Sequence, residues 1–90
     1  MTLQNLRVKI NAVDRKLIAL LAKRAKLVVE VGNQKKETNL PPLDPARWQQ
    51  VLDTRSQWAV ELGLDPELVV DLFNRIHEYA LQIEGEICRK

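Results

Sequence analysis

The chain contains one cysteine, one histidine and one methionine in 90 residues. A lone Cys88 can form no internal disulfide, so the fold is expected to hold without covalent staples, in a reduced, cytoplasmic setting. Neither Cys88 nor His77 has a second Cys or His at ligand spacing, and the expected chemistry involves no metal and no cofactor. No apolar run approaches the ~20 residues of a membrane span. The polar N-terminus has no apolar segment of the kind a signal peptide requires, so no membrane association is expected. One-sided charge is missing too. The 14 basic residues are interleaved with 12 acidic ones for a net charge of +2, which gives nucleic acid no basic block to bind. Strand alternation, internal repeats and low-complexity segments are also absent. What is left, 46% hydrophobic and 29% charged, is the composition of one small globular domain spanning residues 1–90.

What is present is helical periodicity. Residues 3 to about 37 keep one period without an interior proline. Gly32 is the only weak point, at a cost of about 1 kcal/mol relative to alanine. Pro41 and Pro42 stop this helix, and Asn39 suits a left-handed cap. Asp44-Pro45 and Asp65-Pro66 each read as an N-cap followed by proline at the first helical position. The second helix is expected to reach about Leu62, ended by Gly63, with Trp48, Leu52, Trp58, Ala59 and Leu62 on its apolar side. The third is expected to turn Val69, Leu72, Phe73, Ile76, Ala80, Ile83 and Ile87 toward the core. The fold class is therefore all-α, with three helices and a long first one.

That first helix is too long for a compact monomer. Some 34 residues span about 51 Å at 1.5 Å per residue. A 90-residue globule has a radius of gyration near ~12 Å and a diameter near ~30 Å. About half of the helix would protrude with its apolar stripe in water, so a second chain is expected to cover it.

The stripe also contains an anomaly. Leu6, Ile10, Val13, Leu17 and Leu20 lead to Arg24 before Leu27 and Val31 resume the pattern. Lys35 lies eleven residues beyond Arg24, only ~20° away around the helix and ~16 Å along it. Both cations can lean toward one small anion, whereas Lys36 points ~120° away from Arg24. Arg7, about 25 Å before Arg24, cannot serve the same ligand within one chain. In an antiparallel dimer it enters the partner's site.

Plainer readings exist for each of these residues. Arg24 can be an internal salt bridge or a device fixing helix register, and Arg7 and Lys35 can be solvated surface charges. Asp44 can be only a cap, Arg47 its ion-pair partner one turn on, and Glu84 a flanking surface carboxylate. Trp48 and Trp58 read most simply as core residues of the second helix.

Taken together, "LRVKINAVDRKLIALLAKRAKLVVEVGNQKK", "LPPLDPARW" and "GLDPELVVDLFNRIHEYALQIE" resemble the all-helical chorismate mutases along nearly the whole chain. The order Arg7, Asp14, Arg24, Lys35, Asp44, Arg47 is the specific part of the match. The resemblance implies an intertwined homodimer of three-helix chains that rearranges chorismate to prephenate in aromatic amino acid biosynthesis by the shikimate pathway. It implies that Arg24 and Lys35 bind the substrate's carboxylates and ether oxygen, and that Arg7 comes from the partner chain. Asp44 and Arg47 fall at positions near the ring and its hydroxyl, and Glu84 falls against the ether oxygen. Such a pericyclic reaction needs no nucleophile. It needs a compact substrate conformer held in place and cations facing the charge that develops on the ether oxygen. Arginine forks suit carboxylates for this purpose.

Two positions depart from the family pattern, and a third raises a question of protonation. Trp48 replaces a glutamate that accepts the ring hydroxyl, and indole is only a donor. Ala80 replaces a serine that touches a carboxylate. Glu84 stands where many bacterial members have glutamine and fungal members glutamate; a carboxyl donates to an ether oxygen only when protonated, so activity is expected to rise below neutral pH and Glu84→Gln to move the optimum upward. The departures leave isochorismate pyruvate-lyase and 4-amino-4-deoxychorismate mutase as alternatives. A non-catalytic dimeric helical module is a further one.

Overall fold

A computed structural model describes all residues, 1–90, as three helices: α1 (Leu3–Glu37), α2 (Pro45–Glu61) and α3 (Pro66–Arg89). The expected caps are in place. The side chain of Thr2 accepts the Asn5 N–H at the start of α1. Asp44 accepts from the Arg47 N–H at α2 and Asp65 from the Glu67 N–H at α3, each followed by proline in the first turn. These bonds satisfy donors that the first helical turn leaves free. Asn39 (φ 58°) and Gly63 (φ 74°) take the left-handed conformation that ends a helix. No helix is long and apolar enough to cross a membrane.

The helix α3 is the hub of the chain. It packs on both α1 and α2, which do not pack on each other. Gly32 of α1 lies against Glu84 and Ile87 of α3, while Leu21 and Arg24 share a groove with Leu72 and Ile76, so α1 and α3 run in the same direction. On the other side Trp48 meets His77 and Arg55 reaches Phe73, so α2 runs opposite to α3. The gap between α1 and α2, floored by α3, is where the candidate site forms.

Gly32, weak as a helix residue, has a packing reason. It is buried, and a Cβ there would sit 2.9 Å from Ile87 Cδ1 and 3.4 Å from the Glu84 Cα. Its missing side chain allows the close approach of α3.

The chain is elongated, 55 × 24 × 15 Å with a radius of gyration of 16.3 Å, well beyond the compact ~12 Å of a 90-residue globule. Only Gly32, Val51, Ala59, Ala80 and Glu84 are buried, and every residue from 1 to 23 is exposed. The α1 stripe of Leu6, Ile10, Val13, Leu17, Leu20, Leu27 and Val31 is exposed throughout. The face that meets α3 is instead Ala25, Val28, Gly32 and Lys35.

The expected core of α2 requires correction. Ala59 is buried as expected, but the other buried residue is Val51, while Trp58 is 51% and Leu62 78% exposed. With α3 as its sole neighbour, α2 buries a narrow row rather than its widest apolar face. Trp58 instead carries the Arg55 guanidinium 4.6 Å from its ring centre, a cation–π contact.

Candidate functional site

A cavity of about 170 Å³ lies where the three helices converge. From α1 it receives Arg24, Val28, Val31 and Lys35; from the following loop Pro42 and Asp44; from α2 Arg47, Trp48 and Val51; and from α3 His77, Ala80 and Glu84. Seven of the eight residues expected from the sequence are thereby brought together. Arg7 is the exception, since it lies on the exposed N-terminal half of α1.

Lys35 Nζ is 2.6 Å from Glu84 Oε1 and donates to the Pro42 carbonyl at 2.5 Å. One ammonium thus ties α1, the α1–α2 loop and α3 together. The Glu84 side chain is only 8% exposed, which corrects the reading of a flanking surface carboxylate. Buried carboxylates need a compensating charge, and Lys35 provides it. Lys35 is likewise not a free surface cation.

Arg24 forms neither of the chain's two salt bridges, which are Lys35–Glu84 and Arg75–Glu78. The internal salt-bridge reading therefore fails. Burial pulls the Arg24 guanidinium below its ordinary proton affinity, and Arg47 adds to that, while Glu84 opposes it. Arg55 is pulled the same way by burial, then by Arg47 and Arg24. Arginine stays charged through such shifts. The result is a cluster of guanidiniums without matching carboxylates, a field that favours an anion.

Arg47 does not pair with the Asp44 carboxylate through its side chain. Asp44 Oδ1 accepts the Arg47 backbone N–H at 3.1 Å, and the guanidinium donates to Gln50 Oε1 at 2.8 Å. Capping and cavity lining are compatible roles for Asp44, because the same loop that starts α2 borders the cavity.

Trp48 is partly buried and stacks on His77, with ring centroids 3.8 Å apart and planes 9° from parallel. Aromatic pairs of this kind contribute about 0.5–1.5 kcal/mol beyond area burial. His77 is held below its ordinary value of 6.5, first by burial, then against Glu84's opposing pull by Arg24 and Lys35, with Glu78 pulling upward. The expected set of site residues did not include His77. Its spacing from Glu84, two helical turns along one face, is the signal that could have found it.

A second, larger groove of about 330 Å³ lies between α1 and α3. Apart from Arg24 and Arg75 it offers mostly apolar walls, including Leu21, Val28, Leu72, Ile76 and Ile83. Those walls suit a packed helix better than a charged ligand.

The family model described as chorismate mutase type II matches residues 6–85. A T-protein of Enterobacter agglomerans is 42% identical over 81 residues, 90% of this chain and 22% of that one. A bifunctional chorismate mutase/prephenate dehydratase of Escherichia coli K12 is 40% identical over 73 residues, 81% of this chain and 19% of its own length. A 4-amino-4-deoxychorismate mutase of Streptomyces venezuelae is 29% identical over 82 residues, 91% of this chain and 80% of that one. This chain thus spans about a fifth of the T-proteins it matches. With the family model covering most of its residues, the chain belongs to the chorismate mutase type II family.

Proposed function

We propose that residues 1–90 form one mutase domain that rearranges chorismate to prephenate, a step in aromatic amino acid biosynthesis, in the cytoplasm. The observation that carries this reading is the convergence of Arg24, Lys35 and Arg47 on a single cavity with too few carboxylates to neutralise them. Chorismate has two carboxylates and an ether oxygen that becomes negative as the C–O bond breaks. Arg24 and Arg47 hold the carboxylates, which folds the enolpyruvyl arm over the ring and lowers the entropic part of the barrier. Lys35, held by Glu84, faces the ether oxygen and stabilises the charge that develops there. Trp48 and Ala80 border the ring, and Asp44 lies near its hydroxyl.

In this reading the substrate competes with Glu84 for the Lys35 ammonium. Replacing the Glu84 carboxylate by an amide releases that competition and supplies a donor. Glu84→Gln is therefore expected to raise kcat/KM for chorismate at pH 7; a folded variant no more active than wild type contradicts this role.

The functional unit is a homodimer. Its support is the exposed apolar stripe of α1 together with a single chain that buries only five residues. Covering half-exposed leucines and valines is worth roughly 1 kcal/mol each, so two long helices pairing in antiparallel fashion gain substantially. That pairing carries Arg7 of one chain to the cavity of its partner, where it adds a further cation for the substrate.

Trp48 and Ala80 provide no acceptor for a ring hydroxyl, which gives weight to a second substrate, 4-amino-4-deoxychorismate or isochorismate. Purified protein offered the three compounds separately discriminates between them. Prephenate from chorismate is the expected outcome. Salicylate with pyruvate from isochorismate identifies a lyase, turnover of the amino compound alone identifies the amino mutase, and no turnover leaves a non-catalytic helical module.

A further inference from the structure

The cavity's aromatic wall is built from two helices. Trp48 on α2 and His77 on α3 meet face to face at 3.8 Å, and both line the cavity that holds Arg24, Lys35 and Glu84. Stacking uses the flat faces of the imidazole and leaves its nitrogen-bearing edge available. Neither nitrogen takes part in any hydrogen bond of the chain. An unpaired imidazole edge beside a cationic cavity has a definite chemistry. In its neutral form one nitrogen accepts a hydrogen bond and the other donates. Among the side chains that line the cavity with it, Trp48 can only donate, Ala80 does neither, Arg47 is a pure donor, and Asp44 already accepts the Arg47 backbone N–H through Oδ1.

We propose that neutral His77 is a specificity-determining residue that accepts a hydrogen bond from the hydroxyl on the substrate's ring, with Trp48 holding the imidazole in place by stacking. The inference rests on the mutase reading above and adds a residue to it. The charge state is part of the device. The groups facing His77 are Arg24 and Lys35 from α1, Asp44 and Arg47 from the loop and α2, and Glu78 and Glu84 from α3. Burial disfavours a positive charge on the ring and the Arg24 and Lys35 cations add to this against Glu84 and Glu78, so the imidazole is neutral at pH 7 and its acceptor is free. Protonation removes the acceptor. The consequence is a fall in kcat/KM on the acid side, below 6.5.

Two variants separate this role from mere packing. His77→Phe keeps an aromatic stack on Trp48 and has no acceptor. His77→Gln has an amide oxygen that accepts and does not titrate. With chorismate as substrate, we expect His77→Phe to raise KM about tenfold at pH 7, with kcat nearly unchanged, as for loss of one hydrogen bond to a bound ligand. We expect His77→Gln to keep KM within about threefold of wild type. Both variants should lose the acid-side fall in kcat/KM. A His77→Phe enzyme with wild-type KM and an intact acid limb overturns the assignment, as does a His77→Gln enzyme as impaired as His77→Phe when both retain wild-type helicity. Wild-type protein that leaves chorismate unchanged overturns the mutase reading itself, and this inference with it.

Discussion

At the scale of single residues, the site depends on cations whose charges are incompletely balanced. Arg24 has no acidic partner within the chain and is destabilised by burial and by Arg47. Arg24→Ala should therefore leave helicity and stability intact, or slightly improved, while lowering kcat/KM for chorismate by roughly 10²–10³, the usual cost of removing one preorganised charge stabiliser. Lys35 behaves differently. Lys35→Ala leaves the Glu84 carboxylate buried without its counter-ion, and a loss of about 3 kcal/mol in urea unfolding is expected. Glu84→Gln, which keeps shape and removes the charge, should cost clearly less. Much of this was legible in the sequence, because helical period alone puts Arg24 and Lys35 on one side of α1. The Lys35–Glu84 pair was not, since it joins residues 49 positions apart and depends on where α3 crosses α1. His77 was hidden for the same reason: a lone histidine acquires meaning only when tertiary packing lays Trp48 against it.

His77 also ties stability to pH. Its folded-state pKa lies below the ordinary 6.5, so above 6.5 both folded and unfolded chains carry it neutral and it adds no pH dependence. Below 6.5 the unfolded chain takes up the proton first, and stability is lost until pH also passes the folded-state value. Urea midpoints measured at about pH 7.5 and 5.5 should differ less in His77→Phe than in wild type.

At the scale of helices, the boundaries were readable because their chemistry is local. The paired Asp-Pro starts, Asn39 and Gly63 all occupy the terminal positions that their backbone preferences dictate. The buried faces were less readable. The apolar stripe on α1 is exposed in the single chain and the face against α3 is displaced from it, while α2 buries Val51 in place of its larger apolar residues. Periodicity shows that a face is apolar and leaves open which neighbour covers it. Gly32 illustrates the point. As a helix residue it is a defect, and as a contact it sets the α1–α3 spacing. Gly32→Ala should change stability by less than about 1 kcal/mol, as better helix propensity offsets a small shift of the flexible Ile87 end. Gly32→Leu has no such escape past the Glu84 backbone, and thermal unfolding should report a loss of about 2–3 kcal/mol.

At the scale of the whole molecule, the extended shape and the cavity lead to one proposal. A chain 55 Å long whose residues 1–23 are all exposed leaves the apolar side of α1 and the groove between α1 and α3 uncovered. In the homodimer we propose, a second copy covers both and delivers Arg7 to the cavity. The shared site gives a direct test by mixing two inactive proteins. Arg7→Ala and Arg24→Ala homodimers each lack one cation at both sites. After unfolding and refolding an equimolar mixture, half the dimers are hybrids with one complete site, so chorismate turnover should recover to about a quarter of wild type. A mixture that stays as inactive as either parent, although hybrid dimers have formed, contradicts a chorismate site built from Arg24 of one chain and Arg7 of the other.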